Sequence, residues 1–305
     1  MDRREFLKLQ AGAALLAAGA ASGVLSPGKA FSQANPDIAV VEGAPGAATR
    51  ASVELLGGMG RFVKKGDRVV IKPNMSFTEG PDSASTTHPE VVSALARMCL
   101  ESGASSVLVL DNTLFDPESC MKKTGIRDAC AEVSGGLVHA LSDDAFFQEK
   151  KIENGHVLTD ALVMKDVLRA DKIIAAPVAK SHSGAGVSLS MKGMMGLVLE
   201  RGIMHRKGLH ESIVDLCTII PAHLAVVDAT RVLTSNGPRG PGKVIRPGKV
   251  IASADMVAAD AYTVASFEWY GKMYKPRQVR HIRMAHEQGL GRMDVENLTV
   301  KSLRL

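Results

Sequence analysis

Short apolar runs recur along the chain, and the segments between them carry apolar residues at helical spacing. The runs predict strands at 37–43, 67–74, 105–112, 136–141, Lys172 to Pro177, 223–230 and 249–255. Between them, the spacing predicts helices from Ala47 to Phe62, over 88–103 and 210–220, and over 256–269. Thr86, Thr87 and Pro89 suit the start of the second helix and Gly103 its stop. Residues 113–136 predict a helix-containing excursion, and the polar stretch 142–160 a hairpin or surface insertion. A loop and a helix through Leu199 follow the strand at 172–177, and the tail 275–305 adds one helix and a strand. Strand–helix–strand alternation predicts an α/β fold: a mostly parallel central sheet with flanking helices.

The first 34 residues follow a different pattern. Arg3 and Arg4 precede Phe6, Leu7 and Lys8, and an uncharged run of small and apolar residues extends from Leu9 to Leu25. R-R-x-F-L-K followed by a weakly apolar stretch is a twin-arginine export signal, with Asp2 where Ser or Thr is usual. The expectation is a signal segment over 1–34, cleaved after Ala30 or Ala34, and one α/β domain over 35–305. The protein would meet the twin-arginine translocon during export and reside in the periplasm or otherwise outside the cytoplasm. The run is too rich in Ala and Gly to favour a permanent membrane span.

Composition then excludes some functions. The net charge is +5. The leader holds Arg3, Arg4, Lys8 and Lys29 against Asp2 and Glu5, so the remainder is only weakly basic and no nucleic-acid partner is expected. Aromatics make up 4% of the chain, too few for a carbohydrate-stacking surface. Cys99, Cys120, Cys130 and Cys217 contain no C-x-x-C, so no iron–sulfur cluster is expected from this chain's own cysteines. Cys120 and Cys130 are candidates for a disulfide in an oxidising compartment.

Ligands of parallel α/β sheets bind beyond the carboxyl ends of the strands. Polar residues fall at those ends here: Lys72 and Asn74, Asp111 and Asn112, Lys180 and His182, Asp228, and Asp255. Each has a bland alternative, since Asp111 or Asp255 could simply cap a helix and Asn74 could simply turn the chain. The stretch from Val178 to Gly196 adds Lys192 to Lys180 and His182, among four glycines. Lysines in a pocket call for something negative, and glycines let backbone N–H groups approach an oxygen-rich ligand. Phosphate or carboxylate fits; no nucleotide motif is present. His182 suits proton transfer near neutral pH. His182, His205 and His210 are the candidate metal ligands, although His205 and His210 stand five apart, one more than two ligands on one helical face require.

The segments GDRVVIKPNMSF, TTHPEVVSALARMCLESGASSVLVLDN, PVAKSHSGAGVSLSMKGMMGLV and IASADMVAADAYTVA together resemble domain of unknown function 362, over about 40 to 268. That family's pattern has a strand ending in K-P-N, a T-H-P helix start, a P-K-x-K-T-H-like segment, an L-K-N-x-x-G segment and an S-x-D-x-x-x-x-D segment. Lys72, Asn74, His88, Lys180, His182, Lys192, Asp255 and Asp260 match it, while Ser181 and Gly193 depart from its Thr and Asn. Many members are linked to iron–sulfur redox proteins, so the resemblance implies redox or cofactor-linked metabolism and a possible redox partner protein.

The expected function is an exported protein with a basic crevice for a small anionic or metal-bound ligand, an enzyme in redox or cofactor-linked metabolism. His182, Lys180 and Asp255 are the catalytic candidates; Lys72, Asn74, His88, Lys192, Asp228 and Asp260 are the ligand-binding ones. The alternative is a non-catalytic periplasmic subunit or maturation factor of an iron–sulfur or redox complex.

Overall fold

The structure, a computed structural model, describes residues 35–305; the export segment expected over 1–34 lies outside the described residues. The first half supplies β1 (Ile38–Glu42), α1 (Pro45–Leu55), β2 (Arg68–Pro73), α2 (Pro89–Glu101) and β3 (Ser106–Asp111). Two short helices, α3 (Pro117–Thr124) and α4 (Ile126–Ala131), lead to β4 (Val138–Ala140). The polar insertion is a hairpin, β5 (Phe147–Lys151) with β6 (Asp160–Met164), before α5 (Lys165–Arg169). Then come β7 (Lys172–Ala176), β8 (Val178–His182), β9 (Gly186–Ser188), α6 (Ser190–Gly193), α7 (Arg201–Lys207) and α8 (Leu209–Ile219). The chain ends with β10 (Leu224–Leu233), β11 (Val244–Ile245), β12 (Lys249–Ser253), α9 (Met256–Ser266), β13 (Glu268–Trp269), β14 (Lys272–Met273), α10 (Arg280–Glu287) and β15 (Val300–Arg304).

The sheet runs β15-β1-β12-β10-β7-β2-β3-β4. Along this path every strand points the same way except β12, which is antiparallel to both β1 and β10. Alternate residues of a strand face opposite sides, so each central strand feeds two cores. On β2, Val70 joins a core with the buried faces of α8, α9 and α10, while Val69 and Ile71 join a second core with α1, α2 and α4. On β10, Ala225 and Val227 divide from Leu224 and Val226 in the same way. The result is the expected α/β architecture, a mixed but mostly parallel sheet between helical layers.

Two local findings revise the sequence reading. Residues 178–188 fall in the stretch, Val178 to Gly196, that reads from sequence as a loop leading into a helix. They form instead a hairpin of β8 and β9, with Lys180 opposite Ser188 and His182 opposite Gly186. Pro177 separates β7 from β8, and β10 pairs with β7 near its start and with β8 further along. The site-bearing segment is therefore part of the sheet. The second finding concerns β12. Ser253 lies opposite Ala225, at the start of β10, so the chain leaving β12 emerges at the rim where β10 begins. Asp255 is thus carried away from the rim that Asp228 approaches.

All four cysteines are buried free thiols, so Cys120 and Cys130 do not pair. Burial pushes the Cys99 and Cys130 thiols up to about 12. Among the described residues, no helix is long and apolar enough to cross a membrane.

Candidate functional site

Lys72 and Asp111 stand at the carboxyl ends of the neighbouring strands β2 and β3. Their side chains meet at 3.2 Å, with exposures of only 2% and 1%, so each charge depends on the other. Lys72 Nζ also donates to the carbonyl of Pro73. Asp111 Oδ2 accepts from the Met75 N–H at 3.0 Å and the Ser76 hydroxyl at 2.9 Å. Burial lowers the Lys72 ammonium below its ordinary value, and Asp111 opposes that shift. Gly196 closes over the pair: a Cβ there would overlap Asp111 Oδ1 and Lys72 Cε. The Gly196 carbonyl also accepts from the Asn112 N–H at 2.7 Å, which fastens the loop to β3.

Above this pair opens a cavity of about 250 Å³. It is lined by Lys72, Asn74, Asp111, Lys180, His182, Ser188, Lys192, Arg201 and His205, with Phe77 and Leu114 as apolar wall. Lys180 and His182 reach it together because they are two apart on β8 and share a face. The Lys180 amine donates to the Ser85 carbonyl at 2.5 Å and sits 4.8 Å from the centre of the Phe77 ring. Burial and then the neighbouring Lys192 push its ammonium down to about 7. Lys192, at α6, reaches only the Met195 sulfur, at 3.7 Å, and burial followed by Arg201 lowers it to about 8. Arg201 opens α7, and burial presses it down as well. Asp111 is held by Lys72, so Lys180, Lys192 and Arg201 have no carboxylate partner within salt-bridge distance among the described residues.

His182 is fixed in one protonation state. Its Nδ1 accepts from the N–H groups of Gly184 and Ala185, both at 3.1 Å. Both bonds require an unprotonated Nδ1, so the neutral ring carries its proton on Nε2. Burial, then Lys192 and His205, drive its pKa down to about 3. Near neutral pH it is a hydrogen-bond donor, and the proton-transfer role expected from its ordinary pKa does not fit these surroundings.

The remaining expected site residues have structural partners elsewhere. Asp228 is wholly buried: it accepts from the His88 N–H at 2.8 Å and the Thr230 hydroxyl at 2.6 Å, and pairs with Arg231 at 3.0 Å. His88 is the N-cap of α2, its Nδ1 accepting from the Glu90 N–H. Asp255 caps α9, accepting from the Val257 and Ala258 N–H groups, and also holds the Arg292 N–H. Asp260 is wholly buried on α9 and accepts from the Ser190 and Met191 N–H groups at 2.8 and 2.9 Å. It fixes the start of α6, and so the place of Lys192, without lining the cavity. Burial raises its carboxyl to about 7.

His205 lies near His182, ring centres 6.3 Å apart, but His210 turns away to meet His281, Nδ1 to Nδ1 at 3.1 Å. Among the described residues, no group of three or more His, Cys, Asp or Glu could hold a metal ion, so the three candidate histidines do not form a ligand set. Asn74 both lines the cavity and braces it: its Oδ1 accepts from the Val178 N–H at 3.0 Å, and its N–H donates to Thr87.

Arg201 and Phe77 were not among the sequence candidates. An arginine at the start of a seven-residue helix carries no spacing signal. Phe77 has one in retrospect, since it follows the K-P-N strand end by only three residues.

One similar protein, a thylakoid-associated protein of Synechocystis sp., is 30% identical over 229 residues, 70% of this chain and 67% of its own. Among solved structures, the lactate racemase apoprotein from Thermoanaerobacterium thermosaccharolyticum aligns at a TM-score of 0.47 and 13% identity. It covers 71% of this chain and 54% of its own. A structural-genomics protein from Thermotoga maritima aligns at 0.39 and 14%, over 73% and 59%. This chain therefore spans a little over half the length of those two structures. The family model matches residues 69–265, which hold all of the four quoted motifs but the first three residues of the first, and the chain belongs to the family described as domain of unknown function (DUF362).

Proposed function

We propose that this is an exported anion-binding protein whose cavity takes a small dianion, a carboxylate or phosphate, in cofactor-linked or redox metabolism. The observation that carries the reading is the group of Lys180, Lys192 and Arg201 facing one small cavity without a carboxylate to neutralise them. Cations drawn out of water without a counter-charge cost stability, and perturbed groups cluster where a ligand completes the charge balance. A cavity of about 250 Å³ falls below the ~300–1,000 Å³ of drug-sized pockets, which favours a small acid over a nucleotide. The neutral His182 adds an Nε2–H donor suited to an oxygen.

Calorimetric titration of the full chain with phosphate, glutarate and acetate tests this. Dianions bind more tightly than acetate, and Lys192→Ala or Arg201→Ala weakens them at least tenfold without unfolding the protein. Equal, millimolar-or-weaker binding of all three, unchanged in the variants, overturns the reading. Export rests on Arg3 and Arg4: the double change to lysine holds the protein in the cytoplasm on cell fractionation. If the protein is instead a subunit of a redox complex, purification from its native host yields a stoichiometric partner chain and an empty cavity.

A further inference from the structure

The three unpaired cations are not equivalent. Lys192 and Arg201 sit on the α6–α7 side and are partly exposed. Lys180 lies deeper, with 2% exposure, on a strand paired on both sides. Its amine is aimed by the Ser85 carbonyl and lies near the face of Phe77. The residues acting on it are Lys192, Lys72, Asp111 and Glu79, and the one nearby carboxylate inside the cavity is engaged by Lys72. An ammonium so placed gives up its proton near pH 7, whereas an ordinary lysine stays charged and unreactive.

Resting on the reading of the cavity as an anion site, we propose that Lys180 is a nucleophilic amine that condenses with the carbonyl of a small 2-oxo dicarboxylate. Lys192 and Arg201 receive its two carboxylates. With Lys180 neutral, two cations meet two anionic charges. The Nζ lone pair attacks the carbonyl carbon; the C–N bond forms and the carbonyl electron pair moves to oxygen, which takes a proton. Nζ loses a proton, the hydroxyl takes one and leaves as water, and an iminium remains. Amine, ketone and one proton thus give iminium and water, with no oxidant or reductant needed. The iminium restores a positive charge beside the Phe77 ring, where the ring's negative face favours it. His182, on the same face of β8, offers Nε2–H to the developing oxygen; it is a donor and does not take the proton.

The full chain is incubated with 2-oxoglutarate and sodium cyanoborohydride, then analysed by intact mass and peptide mapping; glutarate binding is measured in parallel. One reduced adduct at Lys180 is expected, rising between pH 6 and pH 8. Lys180→Arg, or Lys180→Met if that variant does not fold, loses the adduct at least tenfold. Glutarate binding with no adduct at Lys180 in the wild-type chain overturns the condensation and leaves the anion site standing. An adduct spread over surface lysines, unchanged in the variant, overturns it too. If neither acid binds, the anion reading fails and the condensation with it.

Discussion

Two buried charge clusters sit close together in this protein and differ in how completely they are closed. In the first, Arg231 spends its guanidinium on Asp228, the Pro81 and Thr86 carbonyls and the Thr230 hydroxyl. Asp228 in turn uses both oxygens on His88, Thr230 and Arg231. In the second, Lys72 and Asp111 pair, but Lys180, Lys192 and Arg201 face the same cavity unpaired. The first cluster is a joint that ties β10 to the start of α2. The second is open on one side, and its missing charge is what a ligand would bring. Burial of charge alone does not distinguish a structural lock from a site; the balance of charge does.

Substitutions should separate the two clusters, beginning with the closed one. Asp228→Ala leaves Arg231 buried and unpaired, a change that costs about 3–5 kcal/mol and lowers the melting temperature by roughly 10 °C. A shift of only a degree or two in a thermal melt would mean that the cluster is not a joint.

Acid comes next. His182 and His281 hold pKa values of about 3 when folded against 6.5 unfolded, each because burial disfavours the imidazolium. Their stability is present above pH 6.5 and lost as pH falls towards 3, because the unfolded chain takes up the protons first. Asp260 runs the other way: raised to about 7, it withholds stability as pH rises from 3.8. Two histidines, with His205 and His210 lowered in the same direction, outweigh the one carboxyl, so stability falls as pH drops from 6.5 to 4.5. Urea melts at those two pH values measure it, and equal midpoints would contradict the buried neutral histidines.

Gly196→Ala comes third. The added methyl forces apart Lys72 and Asp111 at a cost of about 1–3 kcal/mol and abolishes anion binding. Retained binding in a titration would show that the pair does not shape the cavity. Lys192→Met has the smallest effect and the opposite sign. Removing a cation without a carboxylate partner raises stability by about 1 kcal/mol at pH 7 while weakening the anion at least tenfold. A lower melting point for this variant would place Lys192 with the closed cluster.

The framework of strands and helices is legible in the sequence because apolar runs mark buried strands whatever their direction. Direction itself leaves no mark, and this is why Asp255 looks like a rim residue: β12 reverses, and a strand's end moves to the other side of the sheet. Lys72, Asn74, Lys180, His182 and Lys192 do gather at one cavity. His88, Asp228 and Asp260 carry equally chemical side chains and serve as cap, ion-pair partner and backbone clamp. A sequence shows which side chains can hold charge, and only packing shows whether another group in the protein already answers it. The hairpin at 178–188 was hidden for a related reason. Its buried residues include Lys180, Ser181 and His182, which face a cavity and a partner strand in place of an apolar core.

The glycine at 196 reaches beyond its own position. With Lys72 and Asp111 lying where a first side-chain carbon would go, the three positions are bound to one another in inheritance. Any descendant that acquires a side chain at 196 must shift, shorten or lose one of the two charges. A chain that keeps the pair in its present geometry keeps, at 196, the residue that has no side chain to offer.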